Sequence, residues 1–250
     1  MGPEGLLREG LLAGVSVLVA GAHEERSPGA VGPEVRDACL ALGARVRSLG
    51  LLDGEGEALG EEELRETLGE LLGEDRTVDL AAVDGAGLYA AAARAGLDGR
   101  GALGRCMEAC WAATRVVADV GFLAREEPRG RIVYLAPHAG AGEHARAVGA
   151  GLENLARTLS IEWARHQITT VAILPGAGGG ASAGAGGGAG GGAVGGAGGG
   201  AGEKAGGGAG TGGEGRRRER KWTREAATLT AYLASPAGAY FSGCAFELSG

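Results

Sequence analysis

Four short apolar runs, each stopped by glycine or proline, constrain this chain more than anything else in its 250 residues. They are VSVLVAG (15–21), VDLAAVDGAG (78–87), RIVYLAP (131–137) and ITTVAILPG (168–176). Each is short for a helix and keeps its apolar residues adjacent rather than alternating. A strand that is apolar on both faces must be covered on both, as in a parallel sheet between helices.

The segments between them supply those helices. VGPEVRDACLALGARV (31–46) puts Val35, Ala38, Cys39 and Leu42 on one helical face, with Pro33 in the first turn and Gly43 at the stop. RVRSLG (45–50) reads as a further strand, and EEELRETLGELL (61–72) as a helix whose acidic front suits its dipole. ALGRCMEACWAATRVVADVGFLA (102–124) predicts a long helix. A second follows from 146, with Val148, Leu152, Leu155 and Leu159 along one face. TREAATLTAYLAS (223–235) and CAFEL (244–248) add a last helix and strand. The alternation predicts a single α/β domain, a doubly wound, Rossmann-like parallel sheet with ligands at the carboxyl ends of its strands.

Glycine accounts for 53 residues, against about 7% in an ordinary chain, and much of it lies in 176–215. That tract lacks large apolar side chains to offset its ordering entropy, so it predicts a flexible coil. The expected organisation is a core over 1–175, a Gly/Ala-rich insertion over 176–221, and a closing helix and strand over 222–250. RRRERK (216–221) ends the insertion as either a solvated charge run or an anion-binding patch. A glycine-rich structural protein would rest on the tract alone, and the patterned halves on either side argue against it.

A net charge of −7 and a pI of 5.3 argue against nucleic acid as a partner. No apolar run reaches the roughly 18 residues of a membrane span, and MGPEGLLREG lacks a basic stretch before an apolar one. The expectation is a cytoplasmic protein. Cys106 and Cys110 share a helix face but have no visible further ligands, so they read as small core residues and no metal is expected.

GRIVYLAP, AGLENLARTLSIEWARHQITTVAILPG and LTAYLASPAGAYFSGCAFELSG resemble the fifth strand, the helix and strand after it, and the C-terminal end of short-chain dehydrogenases/reductases. The resemblance covers most of the chain outside 176–221. It implies a nicotinamide cofactor, NAD or NADP, and a Ser, Tyr, Lys constellation for proton transfer. At those positions this chain has Pro137, Ala145 and Gly149. Its lysines are Lys204 and Lys221, and none of Tyr89, Tyr134, Tyr232 and Tyr240 is followed four residues later by lysine. His138, Glu143 and His144 flank the vacancy as an acid–base pair or as solvated loop residues.

For the cofactor, the resemblance implies Gly21 and Ala22 at the first turn, Asp84, Gly85, Ala86 and Gly87 in place of Asn-Asn-Ala-Gly, and Pro175 with Gly176. The first turn is about five residues too long and carries His23, Glu24, Glu25 and Arg26, and two carboxylates there would repel phosphate unless Arg26 offsets them. Gly50 stands where an acidic residue would bind the ribose, with Asp53 nearby. A weakened dinucleotide site is expected. One reading is a catalytically impaired relative acting as a ligand-binding or partner subunit. It would assemble through helices 102–124 and 146–165 with itself or with a paralogue of the family. The other is an active NAD(P)-dependent oxidoreductase on a carbonyl or hydroxyl substrate with a non-standard active site.

Overall fold

The computed structural model describes residues 7–22, 28–73, 77–176 and 211–248, without the side chains of 211–214 and 216. Six parallel strands form its sheet: β1 (Ser16–Gly21), β2 (Arg45–Gly50), β3 (Leu80–Val83), β4 (Gly130–Leu135), β5 (Ile168–Pro175) and β6 (Ala245–Leu248). Their order is β2-β1-β3-β4-β5-β6, which leaves β2 and β6 at the edges and reverses the winding between β1 and β3. This is a Rossmann-like α/β fold, and the reversal opens a crevice beyond the carboxyl ends of those two strands.

The adjacent apolar residues of each run divide between two cores, as a two-residue period requires. Val17 and Val19 of β1, with Val133 and Leu135 of β4, face helices α1 (Gly32–Ala41) and α6 (Thr211–Ala234). Leu18, Ala20, Ile132 and Tyr134 face α2 (Glu61–Leu72), α3 (Gly85–Arg94), α4 (Gly99–Val116) and α5 (Ala145–Glu162). Tyr134 lies wholly inside this second core, where its phenol meets the Thr114 hydroxyl at 2.9 Å. Burial pushes that phenol's pKa up, which fits a packing role. Cys106 and Cys110 are buried there too, and Cys106 Sγ donates to the Gly85 carbonyl at 3.2 Å.

Three elements differ from the sequence reading. DGAG does not end a strand: Asp84 accepts from the Gly87 N–H at 2.9 Å and caps α3, a helix the sequence reading lacked. The 102–124 helix begins at Gly99, where Asp98 caps it, and widens to a π-helical segment over Val117–Leu123. Helix α6 begins at Thr211, so the basic run lies on it rather than in a coil. Arg and Glu are good helix formers, and buried Trp222 ties that turn to the core. The rest of the expected insertion, 177–210, is outside the described residues.

At its far end α6 is held by Arg131 of β4, whose guanidinium donates to the carbonyls of Leu233 (2.6 Å) and Ser235 (2.5 Å). These are carbonyls that a helix end leaves without partners. No helix among the described residues is long and apolar enough to cross a membrane.

Candidate functional site

The crevice is organised by one side chain. Asp84 follows β3 directly, is 2% exposed, and spreads its carboxylate over three backbone amides. Oδ2 accepts from Val31 (3.0 Å) and Gly32 (2.7 Å), at the start of α1, and Oδ1 from Gly87 in α3. Pro33 follows with no N–H to offer. The N-terminus of a helix after the first strand is where such folds hold a ligand phosphate, and here an internal carboxylate takes the donors.

The surrounding glycines fit the carboxylate closely. A Cβ added at Gly21 would lie 3.0 Å from Asp84 Cβ, one at Gly32 3.0 Å from Oδ2, and one at Gly87 2.6 Å from Oδ2. The close approach that glycine permits at all three positions is therefore used by Asp84. Burial raises its pKa from 3.8 to about 6, against the three amides that lower it; Glu34 adds a smaller upward push.

Of the residues expected to bind cofactor, Gly21 and Ala22 meet Asp84, Gly85, Ala86 and Gly87 at this switch point, with the Asp84 N–H donating to the Ala20 carbonyl at 2.8 Å. Gly85 packs tightly as well, since a Cβ there would sit 2.7 Å from Leu152 Cδ1. Pro175 and Gly176 lie at the same rim but at the end of β5, with β3 and β4 between them and β1. The Gly176 N–H donates to the Leu248 carbonyl at 2.7 Å and closes β5 onto β6. His23, Glu24, Glu25 and Arg26 are outside the described residues.

Beside Asp84, a cavity of about 210 Å³ opens at the ends of β1 and β2, with Arg36, Ser48 and Gly50 in its wall. Gly50 pairs in register with Gly21. Asp53 is not part of it: its Oδ1 accepts from the amides of Glu55 and Glu57, both at 2.8 Å, and folds its own turn. A larger cavity, about 640 Å³, lies at the opposite, amino-end rim around Asp79, Arg125 and Arg131, remote from every residue expected to bind cofactor.

The three positions of the family's proton relay also converge. Pro137, Ala145 and Gly149 are buried, and a Cβ at Gly149 would rest 3.8 Å from both Ala136 Cβ and Leu174 Cδ2. Both of those neighbours are apolar, and Ala145 belongs to the apolar core. In the adjoining loop His138 Nδ1 accepts from the Gly140 N–H at 3.1 Å. The His144 N–H donates to the Tyr89 hydroxyl at 3.3 Å, while His144 Nδ1 is buried without a hydrogen bond, 3.9 Å from Glu143. Tyr89 is 1% exposed on α3. Sequence reasoning missed its place here, because the helix that carries it was not read.

No protein-family profile and no curated protein matches the chain. Solved structures share its fold. A citronellol catabolism dehydrogenase (AtuB) of Pseudomonas aeruginosa PAO1 aligns with a TM-score of 0.61 and 18% identity, over 98% of this chain and 97% of that one. A short chain dehydrogenase from Mycobacterium smegmatis aligns at 0.61 and 17%, over 97% and 94%. Pseudomonas aeruginosa RhlG, solved as an NADP active-site complex, aligns at 0.57 and 17%, over 98% of each chain. The structural neighbours thus include short-chain dehydrogenases, and at such identities the likeness defines the fold.

Proposed function

We propose that this chain is a short-chain dehydrogenase/reductase relative that has kept the sheet and given up the family's proton relay. It serves as a ligand-binding or partner subunit in the cytoplasm. The observation that carries this reading is Asp84: a buried carboxylate holds the amides that a pyrophosphate would need. The apolar packing at Pro137, Ala145 and Gly149 supports it from the other side of the rim.

The residues present fit the two ends of a dinucleotide unequally. The cavity beside β2 offers Arg36 and Ser48, and no carboxylate follows at Gly50, which suits a ribose phosphate and favours NADP over NAD. At the pyrophosphate position the fit fails while Asp84 is ionised, since two like charges would share one set of donors. Protonation below about pH 6 removes that repulsion. NADPH fluorescence titration tests this. Binding is expected to be weak at pH 7.5 and about tenfold tighter at pH 5.5, roughly one pKa unit of free energy. Asp84→Asn should reproduce the gain at pH 7.5. Tight binding at pH 7.5, unchanged by Asp84→Asn, would contradict the reading.

One observation favours the active alternative: among the described residues His144 Nδ1 makes no hydrogen bond, although Tyr89 and Glu143 lie beside it. Steady reduction of a reactive diketone by NADPH, lost in His144→Ala and kept in His138→Ala, would support an active oxidoreductase with a non-standard site. Assembly is proposed through α4 and α5, where Trp111 is 43% and Ile161 79% exposed. Light scattering of the purified chain, alone and mixed with an active paralogue, checks it.

A further inference from the structure

Two helices on opposite faces of the sheet carry stripes of opposite charge. Helix α2 buries Leu64, Leu68 and Leu72 in one core and turns Glu62, Glu63, Glu66 and Glu70 to solvent. Helix α6 buries Trp222, Ala226 and Ala227 in the other, and exposes Arg217, Arg218, Arg220, Lys221 and Arg224.

Both stripes repel themselves. Glu62 with Glu66, and Glu66 with Glu70, are like-charge neighbours one helical turn apart; so are Arg217 with Lys221, and Arg220 with Arg224. Lys221 reaches Glu225 at 3.7 Å, and none of the four glutamates makes an ion pair among the described residues. The stripes also match in length, about 10 Å from Arg217 to Arg224 and about 12 Å from Glu62 to Glu70 at the helical rise.

We propose that the basic stripe of α6 docks the acidic stripe of α2 from a second copy of this chain. Because the stripes lie on opposite faces, one pair of molecules cannot satisfy both contacts about a two-fold axis. The association is head-to-tail and extends into a ring or a short chain. Ion pairs at this exposure are individually weak, so the assembly is reversible and salt-sensitive. It is independent of the cofactor reading and uses surfaces other than those of α4 and α5.

Sedimentation of the full chain at sub-millimolar concentration tests this. The average mass is expected to rise at least twofold between about 0.5 M and about 0.02 M NaCl, as the screening length grows from roughly 4 to 20 Å. A triple reversal in α2 (Glu62→Lys, Glu66→Lys, Glu70→Lys) should abolish the rise. So should one in α6 (Arg217→Glu, Lys221→Glu, Arg224→Glu). Mixing the two variants should restore it, because each then presents what the other lacks. An unchanged mass at low salt, a rise that survives either reversal, or no restoration on mixing would overturn the proposal.

Discussion

Strand β3 is bracketed by two aspartates, and the chain treats them differently. Asp79, before the strand, accepts from the Ser16 N–H at 2.8 Å and pairs with the Arg125 guanidinium at 3.4 Å, with a third of its side chain in water. Asp84, after it, has no cation within ion-pairing distance among the described residues and almost no water, and rests on three amides. The first is a staple between strands, made where charge is neutralised at little cost. The second keeps a bare negative charge at the end where such sheets take ligands. With its pKa raised to about 6 by burial, that carboxylate is an anion at neutral pH and becomes neutral in mild acid.

That contrast can be broken from either end. Asp84→Ala leaves three buried amides without acceptors and should cost about 4 kcal/mol in urea unfolding. A loss no larger than that of Asp79→Ala would erase the distinction. The pH dependence comes next. Asp84 titrates near 6 when folded and near 3.9 when unfolded, so the folded state binds the proton first. Its contribution therefore grows as pH falls from about 6 to about 4 and is lost as pH rises again, by about 3 kcal/mol. The difference between wild type and Asp84→Asn across that window isolates it.

Asp79→Ala should cost about 2 kcal/mol, and Arg125→Ala made on top of it should add little, since the two share one interaction. Smallest is Ser16→Ala, about 1 kcal/mol. Its hydroxyl donates to the Thr77 carbonyl at 2.7 Å and accepts from Arg47 at 3.0 Å. Thermal or urea unfolding of the set orders all four.

Much of the scaffold was legible because burial leaves a pattern. The runs at 15–21, 131–137 and 168–176 became β1, β4 and β5, and α2 spans Glu61–Leu72 as its acidic front and leucine spacing indicated. Helix α3 was not legible. Its glycines look like loop residues, and the reason for them, the closeness of Leu152 and of Asp84 itself, exists only in three dimensions. The start of α6 was hidden because its glycine-rich opening continues the tract before it. The resemblance pointed to the small residues at 21 and 84–87, which the fold brings together after β1 and β3. What occupies the space beside them was not legible, since Asp84 bonds to amides more than fifty positions away in the chain.

Among the described residues β2 pairs on one side only, and this bears on how the protein behaves in concentrated solution. Arg45 and Arg47 sit on that strand at alternate positions, with Arg45 exposed. A stray extended segment adding itself there would have to settle beside two positive charges. Charged side chains on an edge strand work against fibrous growth from it.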